Sequence, residues 1–346
     1  MSESGISRRD LVRRGGYAAA AGASLMGLAG CARREAVASG GADAGVASGG
    51  VAHAGLTQRG QIRIEMPTHM EPQDPNTAIM QNGADQAAKD FGVKVNFRGP
   101  DKFSIPAIQK IFDASIASKP TAIAATLPDP SALGPKIEEA VAKGIPVVLF
   151  NAGLDDFKRL GAVTYVGQTE LQAGKEAGQR LARQGLTNVL VINHQQGQLT
   201  LETRAKGVQE GVGGGKVKEF AVDGTNPTQI RNGVASALRQ NPGTQAIITL
   251  GPGAAEQALA AIKSSGSKAK LATFDISPAV LNAVKNKQML FAIDQQMFLQ
   301  TYLSVMSLVT YSTWRLRPVT AVPSGPLFVD ASNAADIITL SAKGIH

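Results

Sequence analysis

Lys270-Leu271-Ala272-Thr273-Phe274-Asp275-Ile276-Ser277-Pro278 is the stretch that decides the fold. Leu271 to Phe274 is short, apolar and bounded by turn residues, the pattern of a buried strand. Ser277-Pro278 then opens a helix, which leaves Asp275 at the junction. Ligands of open α/β sheets bind outside the carboxyl ends of the strands. Taken alone, Asp275 reads equally well as a helix cap. Further on, Leu290-Phe291-Ala292-Ile293-Asp294-Gln295-Gln296 repeats the pattern, again with polar side chains after a short apolar run. Two such strand ends at one sheet edge make a polar ligand site, and together they favour that reading of Asp275.

Working outward, the same alternation fills the chain. Strand patterns fall at Gln61–Met66, Lys94–Arg98, Thr121–Leu127 and Ile145–Phe150, the last running into Asn151. Helical patterns over Thr77–Phe91, from Pro106 to Ile116 and over Ile137–Val141 separate them. The series restarts at Ala162–Val166 and continues through Thr169–Gln184, Asn188–Asn193, Leu199–Val212, Val217–Ala221, Pro227–Gln240, Ala246–Leu250 and Ala254–Ser265. This βα alternation predicts parallel sheets with helices on both faces, in two α/β units of similar build. Gln295 to Trp314 carries no charge, but its many Gln, Ser and Thr residues are too polar for a lipid-facing span. It is expected to be a packed amphipathic helix.

Thr273-Phe274-Asp275, a helix, and then Ala292-Ile293-Asp294-Gln295 resemble the ribose- and galactose-type periplasmic sugar-binding proteins, the solute receptors of ABC importers. The resemblance runs from about Gln61 to Asp336. It implies an α/β fold of two Rossmann-like lobes with parallel sheets, joined by a three-segment hinge (periplasmic binding protein type I). The first lobe would take residues 61–166 plus 296–322, and the second 167–295 plus 323–340.

Sugars require many directed hydrogen bonds and an apolar face to stack on. By resemblance Asp275 and Gln295 hold ligand positions. Asn151 falls where the family often has Asp, and Arg204 at a ligand-contacting arginine near a helix start. Asp74, in Gln73-Asp74-Pro75-Asn76-Thr77, falls in the first ligand loop, where an Asp-Pro turn is the competing reading. Asn76 and Thr77 stand where the family commonly carries aromatics, Pro227 stands for a further aromatic, and Gly251 for a ligand-binding Asn. Phe274 remains, with Phe150 near, so much stacking surface is gone and a small, polar or acyclic ligand becomes reasonable. His69 and Met70 are candidates to fill the vacated space.

The chain has 346 residues, 43% hydrophobic and 18% charged, which suits two cores. Net charge is +8, yet the basic residues are scattered without interleaved aromatics, so a solvated surface rather than nucleic-acid binding is expected. One cysteine and four histidines without ligand spacing exclude a disulfide framework and argue against metal or redox cofactors; no cofactor is expected.

Residues 1–31 read as an export signal. Ser7-Arg8-Arg9-Asp10-Leu11-Val12 matches a twin-arginine motif, and Leu28-Ala29-Gly30-Cys31 matches a bacterial lipobox, which makes Cys31 the lipidated residue. Residues 32–60, rich in Ala, Gly and Ser, read as a flexible tether.

The expected function is therefore a monomeric receptor on the outer face of the bacterial cytoplasmic membrane or in the periplasm. It would capture a sugar or polyol by lobe closure and pass it to a permease, touching the membrane through its lipid anchor only. An exported enzyme acting on a small carbohydrate is the alternative. A glycosidase needs a carboxylate pair, for which Asp74 and Asp275 are the candidates. A repressor of this architecture would need a helix-turn-helix ahead of the lobes, where the export signal stands instead.

Overall fold

The computed structural model describes residues 57–224 and 226–346. The export signal, Cys31 and the tether up to residue 56 lie outside the described residues. Five strands come first: β1 (Arg63–Pro67), β2 (Lys94–Arg98), β3 (Ala122–Ala125), β4 (Val147–Phe150) and β5 (Thr164–Gly167). Five more follow: β6 (Asn188–Asn193), β7 (Lys216–Ala221), β8 (Ala246–Thr249), β9 (Lys270–Phe274) and β10 (Phe291–Asp294). Two short strands, β11 (Val322–Pro323) and β12 (Leu327–Val329), lie near the end.

The strands form two sheets in the orders β11-β5-β4-β3-β1-β2 and β12-β10-β9-β8-β6-β7. All pairs are parallel except β12, which runs antiparallel to β10. The chain therefore passes between sheets after β5, after β10 and between β11 and β12. Central strands such as β3, β4, β8 and β10 are buried along their whole length, whereas the edge strands β2 and β7 are not. Residues alternate between the two faces. Val148 and Phe150 enter one core with Ile64 and Met66, while Val147 and Leu149 enter another with Phe112 and Ile123. Helices on both faces are what continuous apolar strands of a parallel sheet demand.

The helices are α1 (Pro75–Phe91), α2 (Ile105–Ala117), α3 (Pro130–Ala142), α4 (Glu170–Ala182), α5 (Leu199–Val212), α6 (Pro227–Gln240), α7 (Pro252–Ser265), α8 (Pro278–Lys285), α9 (Met297–Trp314) and α10 (Ala334–Ser341). Asp74, Ser104, Asp129, Asn226 and Ser277 each cap a helix through the side chain and precede a proline in its first turn.

Helix α9 departs from the amphipathic expectation. Its buried residues include Gln300, Thr301, Ser304, Ser307 and Ser312, so polar groups face inward. They are small or satisfied locally: Thr301 Oγ1 donates to Met80 O at 2.7 Å and Ser304 Oγ to Gln300 O at 2.7 Å. Gly83 lets α1 lie directly against this helix, because a Cβ there would meet Phe298 O at 2.2 Å. Residues 57–60 are also fastened rather than loose. The Thr57 amide donates to Ser312 O, and Arg59–Gln61 form a turn of 3₁₀ helix.

Candidate ligand-binding site

The carboxyl ends of both sheets face each other across the three crossings. Asp275 follows β9 with φ 60°, and its amide donates to Ile293 O of β10. Asn151 follows β4 with φ 62°, and its amide donates to Val166 O of β5. The two lobes thus end equivalent strands in the same left-handed conformation, which Asp and Asn tolerate better than most residues. Asp275 does not cap α8; Ser277 does, accepting from the Val280 amide.

Asp275 is instead the centre of a buried polar array. Gln295 Nε2 donates to its Oδ1 at 2.6 Å, and Arg204 Nη1 donates to its Oδ2 at 3.0 Å. Arg204 is 3% exposed, so it is no surface arginine. Its Nε donates to Glu170 Oε2 at 2.5 Å and its Nη1 to Leu250 O at 3.1 Å. Burial opposes the charge on Arg204, but the Asp275 and Glu170 carboxylates outweigh it and hold the guanidinium pKa above its ordinary value. Glu170 Oε2 also accepts from Gln168 Nε2, so the array reaches the first crossing. Glycines bring Arg204 to Glu170. A Cβ at Gly174 would meet Arg204 O at 2.3 Å, and one at Gly207 would meet Leu171 O at 2.3 Å. The backbones of α4 and α5 touch there.

Several expected contacts take other roles. Phe274 is fully buried and lies beneath the Arg204 guanidinium, 4.9 Å from ring centroid to Cζ, so it supports the arginine and offers no free stacking face. Phe150 is likewise wholly in the core. Asp74 caps α1 by accepting from the Asn76 amide at 2.8 Å, as the Asp-Pro turn reading required. Asn151 Nδ2 donates to Gln300 Oε1 at 3.1 Å, and Gln300 Nε2 donates to Gln295 O, linking the first lobe to the second crossing. Asn76, Ile79 and Met297 line one side of a narrow recess, with Asp275, Gln295 and His346 on the other. His346 Nδ1 lies 2.5 Å from Asp294 Oδ2.

Three residues at the site escaped the sequence reading. Glu170 completes the arginine's ion pairs; the Gly174/Gly178 and Gly207/Gly211 spacings were its signal, marking two helices in close contact. His194 follows β6 and occupies the space that Gly251 leaves, since a Cβ there would meet His194 Cε1 at 2.7 Å. Its Nδ1 is buried without a protein partner, and burial lowers its pKa, with Asp275 opposing that shift. A hollow of about 610 Å³ adjoins it at the ends of β6 and β7, lined also by Gln195 and Gln196. Phe103 stands half exposed, edge-on to His69 at 6.4 Å. His69 itself is held at Thr126 Oγ1, 2.9 Å from Nδ1, and burial lowers its pKa to about 4. Met70 is buried in the core. Among the described residues no cluster of His, Cys, Asp and Glu is arranged to hold a metal ion.

Two α/β lobes, three connecting crossings and a buried polar array at facing strand ends define a two-lobed solute-binding protein. The chain belongs to the periplasmic binding protein domain family, whose model matches residues 72–313. It is 38% identical to a carbohydrate transporter from Acidothermus cellulolyticus solved with myo-inositol, covering 83% of this chain and 100% of that one, at a TM-score of 0.73. A periplasmic sugar-binding protein of a Legionella pneumophila ABC transporter is 26% identical, covering 76% and 99%, at 0.67. The xylose/arabinose-binding protein of Sulfolobus acidocaldarius is 22% identical over 239 residues, which span 64% of this chain and 59% of that protein.

Proposed function

We propose that this protein is the solute receptor of an ABC importer and that it captures a neutral cyclic polyol, a cyclitol or a pyranose, between its lobes. The observation that carries this reading is the Arg204–Asp275–Gln295 array. Charge-assisted donors and acceptors, buried at the ends of adjacent strands, are what vicinal hydroxyls pair with. The related Acidothermus protein was solved with myo-inositol, which supports a ring bearing a hydroxyl on every carbon. With Phe150 and Phe274 fully buried, hydrogen bonds rather than stacking on these rings carry recognition in this reading. Closure of the lobes buries the solute and presents one joined surface to the permease.

The protein acts as a monomer held by lipidated Cys31 outside the cytoplasmic membrane. Export follows from the family, and the lipobox supports the anchor. Among the described residues no helix is long and apolar enough to cross a membrane. Binding without turnover is the favoured activity, because Asp74 is engaged at a helix cap and Asp275 is ion-paired, which suits neither to act as a general acid.

The test is calorimetric titration with myo-inositol, scyllo-inositol, xylose, arabinose, ribose and glucose, with solution scattering on the best ligand. Saturable binding and a smaller radius of gyration are expected. A panel without binding, or release of a modified product, would refute this reading.

A further inference from the structure

The pole of the first lobe opposite the ligand cleft carries a feature that solute capture does not use. Five large hydrophobic side chains are exposed among the described residues, and three of them follow one another here: Trp314 at 51%, Leu316 at 62% and Val319 at 90%. They sit where α9 ends and the chain turns back toward β11. The Arg59 guanidinium lies 5.0 Å from the Trp314 ring centroid, and Arg317 is exposed beside Leu316. Basic residues continue along the amino-terminal edge of the sheet. Arg63 pairs in register with Lys94, and its guanidinium donates to Lys119 O at 2.9 Å. All three are exposed. Asp90, at the end of α1, is already bonded by Tyr302 and Gln86.

The chain that leads back to Cys31 leaves from this same pole, where the Thr57 amide is bonded to Ser312 O, two residues before Trp314. A linker of about 26 residues reaches no more than about 90 Å even when fully extended. The tether thus joins the folded receptor beside this turn.

We infer that the Trp314–Val319 turn and its flanking arginines dock on the anionic lipid surface of the membrane. Tryptophan and aliphatic side chains beside cations are the chemistry of the membrane interface. Each Lys or Arg held near an anionic leaflet raises affinity about fivefold. The inference goes beyond the receptor reading and does not depend on which solute is bound. It takes from that reading only the anchorage at Cys31.

Trp314 is the protein's only tryptophan and Cys31 its only cysteine, so the test needs no engineered probe. The full chain is coupled through Cys31 to vesicles bearing maleimide headgroups, which sets the tether whether or not a cell lipidates that residue. On phosphatidylglycerol vesicles Trp314 emission is expected to shift to the blue and to be quenched by bromine-labelled phosphatidylglycerol, and salt should reverse both effects. Leu316→Ser with Val319→Ser should abolish the shift while solute affinity stays unchanged. Arg59→Ser with Arg317→Ser should lower the salt concentration at which the shift is lost. Emission that stays that of a water-exposed ring overturns the inference. So does a shift equal on phosphatidylcholine and on the Leu316/Val319 variant, which assigns the contact to the apolar leader. A shift that follows protein density rather than anionic lipid overturns it in favour of self-association.

Discussion

Arg204 donates to Asp275 at 3.0 Å while its other edge is held by Glu170, so one buried cation is shared by two carboxylates from separate elements. The pairing orients Asp275 before any ligand arrives. Its Oδ1, held by Gln295 and with acceptor capacity to spare, is a preset acceptor for ligand hydroxyls, and the ligand need not order it.

Asp275→Asn removes one acceptor oxygen and the charge that Arg204 faces. Affinity for the best polyol of the panel should fall by about 1–3 kcal/mol, roughly five- to 150-fold. Calorimetric titration beside a melting curve checks this. Full affinity would remove Asp275 from the site, and because Ser277 caps α8, a capping role is no longer the fallback.

Gly207→Ala tests whether helix contact positions the array. The new Cβ would lie 2.3 Å from Leu171 O and 2.9 Å from Gly174 Cα, so α4 and α5 must part. Overpacking of this kind costs about 1–3 kcal/mol of stability. The added expectation is weaker solute binding in the population that remains folded, because Arg204 and Glu170 ride on the separating helices. Lowered stability with unchanged affinity would disconnect the seam from the site.

His69 makes stability depend on pH. Its folded pKa is lowered from the ordinary 6.5 to about 4 by burial. Between those values the unfolded chain binds the additional proton, so stability falls as pH drops from about 6.5 toward 4 and levels off below. The full shift amounts to about 3 kcal/mol. His194 is lowered by burial as well and adds a slope of the same sign. Urea melts across this range should show a shallower slope for His69→Gln than for the parent. An unchanged slope would assign the dependence elsewhere.

Cys31→Ser tests the anchor. Fractionated cells should show the variant moving from the membrane to the soluble fraction with unchanged solute affinity. Retention at the membrane after signal removal would overturn the lipobox reading.

The sequence by itself determined the element order, because period-two and helical apolar patterns and the Ser277-Pro278 helix start are local signals. Asn188–Asn193 and Pro227–Gln240 coincide with β6 and α6 to the residue for that reason. Its resemblance to a known family also pointed to Asp275, Gln295 and Arg204, which the structure brings together in one array. What each partner does was decided only by tertiary structure. Whether Asp275 caps a helix or faces an arginine depends on where α5 lies relative to β9, and that distance is set by glycines on two helices. Phe274 became a floor for Arg204, His194 took the space beside Gly251, and α9 turned its polar groups inward. Each outcome depends on neighbours remote in sequence, and a one-dimensional pattern carries no record of which helix face meets which strand.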